Sequence, residues 1–264
     1  MTNETVWVFA YGSLIWNPGF EYKKVIIGSI RGYSRRFFQG SDQHRGSPES
    51  VIFFFYCLLT RFDEYFFQLQ LGRVATLIED EQGSTWGLAF LIADDQTALE
   101  YLKQRESSIG GYTTIMTPFY PKDQRIKESI QTLVYIALPC NRLFLGPSQQ
   151  LATEIAQAKG FCGYNVEYLA KLVAFMKIEL PHIVDEHLQQ LELQVKQILH
   201  RNNPSLLKFF TDAIDLWLNN NVLTLDEKID DSMKTAIKPI LIQHRMIDNS
   251  KVPKQQQLRC MIKH

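Results

Sequence analysis

The sequence predicts an α+β fold on three observations. Up to about residue 138 the apolar residues come in short runs bounded by glycine, proline and polar clusters, as strands do. From Ser148 onward they recur at helical spacing. Within the first region, one amphipathic helix carries a carboxylate on its apolar face. Strands first and helices afterwards argue for segregated layers rather than alternating βαβ units.

A chain of 264 residues can bury one substantial core with room for a second small unit. Lys+Arg and Asp+Glu are equal at 28 each, so no global field draws the protein to nucleic acid or to an anionic membrane. The first residues, MTNETVWVFAYG, lack a basic n-region, and no signal peptide is expected. Cys57, Cys140, Cys162 and Cys260 form no CxxC pair and have no histidine at metal spacing. A cytoplasmic, reducing setting is expected, with no metal and no cofactor.

Residues 6–11, VWVFAY, are apolar on both faces and read as a buried central strand. The strand runs into Tyr11, Gly12, Ser13 and Leu14. A glycine and a serine at a strand end can form a tight turn whose backbone N–H groups converge on an anion, or an ordinary turn with Trp16 as a lid. Residues 25–30 and 34–38 read as two further strands joined at Arg31, Gly32 and Tyr33. Arg35 and Arg36 lead into a glycine-bearing polar loop at 40–48, where an arginine either neutralises a substrate carboxylate or is solvated. Residues 73–79 and 85–92 flank Asp80-Glu81-Gln82-Gly83, which has hairpin-turn chemistry. Strands are expected again near 113–119 and 131–138.

The helix between these strands is capped by Asp94 or Asp95 and stopped by Gly110 and Gly111. Leu99, Leu102 and Glu106 fall on one face of it, and the two leucines make that face the buried one. Glu106 therefore stands where an apolar residue is expected, near the negative end of the helix dipole. Both burial and the dipole would raise its pKa toward the range a general acid/base needs. The competing reading is a solvated glutamate paired with Lys103 or Arg105. Tyr112 and Tyr120 lie beside the glycine pair and Pro121; packing suits Tyr112, while Tyr120 stays a candidate for a pocket hydroxyl.

Taken together, VWVFAYGSLIWNP, YSRRFFQGS, HRGSP, GRVATLIEDEQGSTWGLAF, YLKQRESSIGGYTTIMTPFYP, LGPS and NVEYLAKL resemble, in order, the ChaC-type glutathione-specific γ-glutamylcyclotransferases. The resemblance reaches about Leu199. It implies a small mixed β-barrel flanked by helices, a turn at Tyr11, Gly12, Ser13 and Leu14 that holds the γ-glutamyl group, and a catalytic Glu106. Arg36, Arg73 and Tyr120 are further candidates for contact with substrate. One departure stands out: in the family the HRG-x-P loop leads within a few residues into Pro-Gly-Arg-Val, whereas here residues 50–71 intervene, apolar from Val51 to Leu59 and too short to span a bilayer as a helix. Excising about 20 residues would restore the family join, so the segment is expected to come from a retained intron or a gene-model error; if it is real, it reshapes one mouth of the barrel.

Beyond the barrel, Ser148 is expected to cap a helix closing at Gly160, and Asn165 another running to about Met176. Val184, Leu188, Leu191, Val195 and Ile198 make one amphipathic stripe. The expected division is a catalytic domain at 1–200 and a helical extension at 201–264, which is open to a protein partner.

If the resemblance holds, the substrate is glutathione. Its α-amine attacks its own γ-amide carbonyl, releasing 5-oxoproline and cysteinylglycine, so no nucleophilic serine or cysteine is needed. Two alternatives stay open: a cyclotransferase for other γ-glutamyl amines or dipeptides, and a catalytically impaired γ-glutamyl-binding, regulatory or scaffold protein.

Overall fold

In a computed structural model, the described residues are 6–47, 71–92, 102 and 112–219. Five strands, β1 (Val6–Ala10), β2 (Lys24–Ser41), β3 (Gly72–Ile92), β4 (Tyr112–Pro121) and β5 (Ile130–Ala137), close a barrel in the order β1-β3-β2-β4-β5. Neighbours are antiparallel except β1 and β5, whose parallel pairing of Val8 with Leu133 seals the barrel and makes it mixed. The expected α+β barrel is therefore present. Its interior is filled by Phe9, Ile30, Leu77, Ala89, Phe119, Val134 and Ile136, with the Phe9 and Phe119 rings 5.7 Å apart. Alternation in the strands delivers these residues to one face, while β1, buried on both sides from Val8 to Ala10, shows the continuous apolar run of a central strand.

Two local expectations change. The strands at 25–30 and 34–38 are one strand, β2, and the segment at 80–83 is not a hairpin turn. Both ends of β3 pair with β2 in a single antiparallel ribbon: Arg31 opposes Ser84, Tyr33 opposes Glu79, and residues 80–83 bulge out opposite Gly32. Gly32 takes φ +83, a left-handed conformation that side chains disfavour. Asp80 closes the bulge by accepting from the Ser34 hydroxyl at 2.6 Å and from the Gln82 N–H at 3.2 Å. Turn chemistry was read correctly; it serves a bend within a strand.

The helical side comprises α1 (Leu151–Gln157), a small β6–β7 hairpin (Lys159–Gly160, Gly163–Tyr164), α2 (Asn165–Glu179), α3 (Glu186–Asn202), a 3-10 turn (Pro204–Leu207) and α4 (Lys208–Asn219). Gln150 rather than Ser148 occupies the N-cap of α1, and the helix ends before Gly160; the Ser148 hydroxyl donates to Glu154 instead. Asn165 is the first residue of α2 and not its cap. Its buried carboxamide accepts from the Arg73 N–H at 2.5 Å and donates to the Arg73 carbonyl at 2.8 Å, pinning α2 to the start of β3. In α3 the buried stripe is Leu188, Leu191, Val195 and Leu199, while Val184 precedes the helix and is exposed. Asp185 caps α3 by accepting from the Leu188 N–H at 3.0 Å.

The chain resolves into a compact unit, Met1–Trp217, and a second, Leu218–His264. Within the first, the Trp217 indole donates to Glu179 at 2.9 Å and its ring meets Phe175 edge-on, which fastens α4 to α2. Among the described residues no helix is long and apolar enough to cross a membrane.

Candidate active site

The turn after β1 is built from buried anchors and a constrained backbone. The Tyr11 hydroxyl donates to the Tyr135 carbonyl on β5 at 2.7 Å, so the first residue of the turn is tied across the barrel seam. Ser13–Ile15 then form a single 3-10 turn, and the Leu14 and Ile15 side chains are buried beneath it. The N–H groups of Ile15, Trp16 and Asn17 close the turn onto the Gly12 and Ser13 carbonyls at 2.9–3.2 Å.

Gly12 is a glycine for reasons of space. A Cβ there would stand 2.8 Å from the Tyr168 Oη, closer than real side chains approach. Tyr168 comes from α2; its hydroxyl accepts from the Ala75 N–H at 3.2 Å, and its ring packs edge-on against Trp16 and Phe37. Sequence reading passed over Tyr168 because it occupies a core position of an amphipathic helix far along the chain from Gly12.

The three further candidates, Arg36, Arg73 and Tyr120, separate. Arg36 is half-buried and folds back, donating through Nη1 to the Arg35 carbonyl at 2.8 Å. Arg73 is buried and engaged by the fold: Nε donates to Glu154 at 2.5 Å and Nη1 to the Gly146 carbonyl at 2.9 Å. Tyr120 lies on the β2–β4 seam with the Arg31 guanidinium stacked 4.2 Å from its ring centre. Arg35, by contrast, points toward the start of α3. It is 2% exposed, donates to the Trp86 carbonyl and meets Asp185 at 3.4 Å. Burial lowers its pKa from the ordinary guanidinium value, opposed by the nearby Asp185 carboxylate and by Tyr168 and Tyr11.

Glu106 lies outside the described residues, as do Leu99 and the glycine pair. Leu102, on the face assigned to the core, is helical and fully buried. The Tyr112 backbone pairs with Ala137 in β4. Among the described residues no cluster of His, Cys, Asp and Glu could hold a metal ion.

The loop at 42–47 is held by Arg45, which donates to Glu167 at 2.9 Å and to the Tyr164 carbonyl at 3.0 Å. Gly72 comes so close to the Arg45 backbone that a side chain there would collide with it. The chain on either side of residues 48–70 therefore meets at one point.

The ChaC-like protein family matches residues 6–51 and 67–198, most of the chain, and passes over 52–66. The chain belongs to the ChaC-like family. Among its relatives, the human glutathione-specific γ-glutamylcyclotransferase 1 is 41% identical over 189 residues, covering 70% of this chain and 76% of that protein. The Schizosaccharomyces pombe glutathione-specific γ-glutamylcyclotransferase is 34% identical over 206 residues, covering 75% and 95% respectively. A crystal structure of the glutathione-specific enzyme from yeast superposes with a TM-score of 0.61 at 27% identity, covering 76% of this chain and all 100% of that one. The ChaC-like match ends at residue 198, before α4, and its interruption falls where the Arg45 and Gly72 backbones touch.

Proposed function

We propose that the protein is a glutathione-specific γ-glutamylcyclotransferase, converting glutathione to 5-oxoproline and cysteinylglycine. The observation that carries this is a match of the whole barrel and its first helices to the ChaC-like family, together with identity of about 40% to relatives named for this activity. The turn of Tyr11, Gly12, Ser13 and Leu14 receives the γ-glutamyl head, its backbone meeting the α-carboxylate or the carbonyl oxygen as it becomes negative. Glu106 takes a proton from the α-ammonium. The freed amine attacks the γ-carbonyl carbon, and a five-membered tetrahedral intermediate forms. Collapse breaks the bond to the cysteinyl nitrogen, which receives through Glu106 both protons that the attacking nitrogen sheds and departs as an ammonium. One carboxylate thus serves as base and then as acid. Because the nucleophile belongs to the substrate, selection of the bent conformer is the enzyme's main entropic task.

A buried Leu102, four residues before Glu106 in sequence, and the family match across this segment support Glu106 in that role. The substrate is a small soluble peptide, and a reducing cytoplasm, where glutathione is abundant, is the setting proposed for the enzyme. The helices after residue 200, outside the family match, are proposed as the surface for any protein partner. Incubating the purified protein with glutathione and with other γ-glutamyl dipeptides, and measuring 5-oxoproline from each, tests the activity and its specificity. Release from glutathione alone is expected; equal release from all would favour the broader cyclotransferase, and none the impaired binding protein.

A further inference from the structure

The register of β2 against β3 slips between Arg36 and Gln39, and Ala75, opposite that slip, has no partner residue on β2. Its N–H finds an acceptor in the helix layer, the Tyr168 hydroxyl of α2, at 3.2 Å. Tyr168 is 4% exposed, and a phenylalanine would fill the same room with no polar atom to satisfy. What the hydroxyl adds to packing is contact on two sides. On one it holds the Ala75 N–H. On the other it stands against the turn after β1: a Cβ built on Gly12 would lie 2.8 Å from Tyr168 Oη and 3.9 Å from the Ala75 Cβ. Gly12 has φ −133, outside the left-handed region that calls for glycine. The phenol oxygen occupies the place of its side chain.

That oxygen is itself held in place. Asn165, three residues earlier on α2, makes both its hydrogen bonds to the backbone of Arg73, two residues before Ala75. The Tyr168 ring is braced edge-on by Trp16, which ends the 3-10 turn, at 5.2 Å and by Phe37 at 5.8 Å. One atom thus joins strand β3, helix α2 and the turn, three elements that the sequence keeps far apart.

We propose that Tyr168 is a positioning residue: its hydroxyl is the stop against which Gly12 closes, and it sets where the backbone of the turn meets the γ-glutamyl head. It acts through the turn and moves no proton in the reaction. The assignment rests on the proposed role of that turn in holding substrate, and it adds the part of the helix layer that shapes it.

The test is a double-variant cycle on 5-oxoproline release from glutathione, with melting temperature read alongside. Tyr168→Phe keeps the ring and removes the stop; kcat/KM should fall about tenfold, as a small misplacement of a substrate-holding group can cause. The pH profile of kcat/KM should keep its shape, because proton transfer belongs to Glu106. In Tyr168→Phe with Gly12→Ala the new methyl group takes the room of the lost oxygen. The double variant should therefore be at least as active as Tyr168→Phe alone, instead of showing the product of the two losses. Three results would overturn the proposal: Tyr168→Phe losing melting temperature with unchanged kinetics, which marks a merely structural tyrosine; losses that multiply in the double variant; or an ionisation missing from the Tyr168→Phe pH profile, which would make the phenol a proton carrier. If Gly12→Ala alone fails to fold, Tyr168→Phe and the double variant still decide. Failure of the proposed activity looks different: wild type itself would release no 5-oxoproline from glutathione, and this assignment would go with it.

Discussion

The imidazole of His187, in the first turn of α3, accepts the Phe37 N–H of β2 through Nε2 at 3.1 Å. Phe37 sits in the irregular stretch between Arg36 and Gln39, where β2 slips register against β3, and its N–H finds its acceptor in the helix layer. Only neutral imidazole can accept. Burial, and then the Arg36 cation, lowers the His187 pKa from 6.5 to about 4, against the pull of Asp185. As the pH falls below 6.5 the unfolded chain takes up a proton that the folded chain refuses until about 4. Stability contributed by His187 is complete above that window, declines through it and is gone below it. Between pH 7.5 and pH 5, wild type should lose about 1–2 kcal/mol more unfolding free energy than His187→Gln, after allowance for partial exposure. Urea denaturation at the two pH values measures this; parallel losses would show that the contact does not set the proton affinity.

Gly12→Ala places a methyl group 2.8 Å from the Tyr168 Oη. Either the hydrogen bond to the Ala75 N–H gives way or the turn shifts, at a cost of about 1–3 kcal/mol. Activity on glutathione should fall at least tenfold. Adding Tyr168→Phe removes the colliding oxygen, so the double variant should recover melting temperature relative to Gly12→Ala alone; an additive loss would place the strain elsewhere.

Glu106→Gln is nearly isosteric and cannot shuttle a proton at neutral pH. Turnover should drop by roughly 10²–10⁴-fold with little change in melting temperature. Activity within a few-fold of wild type would assign the proton transfer to another group.

Deleting residues 52–66 removes the stretch that the family match passes over, between two backbones that already touch at Arg45 and Gly72. The shortened chain should fold, with kcat/KM for glutathione close to that of the full chain. Loss of the folded state, read by circular dichroism, would make the segment part of the architecture.

How far the sequence could be read follows from how local each feature is. Strand β1, the strand–turn junction at Gly12 and the α3 stripe are written in neighbouring residues, and pattern alone located them. The parallel closure of β1 on β5 is not local, and only the family resemblance implied a barrel. The 80–83 bulge was misread because Asp and Gly suit a bend within a strand as well as a hairpin. Among the arginines, type says nothing about partners. The carboxylate that meets Arg73 comes from Glu154, and the one that meets Arg35 from Asp185, both far along the chain. Of the adjacent pair, Arg36 is the one expected at the substrate, whereas Arg35 is the buried one.

Strand β1 is the first stave to leave the ribosome, yet both its neighbours in the barrel are made much later, and the Tyr11 hydroxyl is anchored to Tyr135. A nascent chain that has not yet synthesised β5 carries this turn without the seam that shapes it. On the proposed function, competence to cleave glutathione is therefore withheld during translation until β5 has been made, and fragments ending before that strand should be inert toward it.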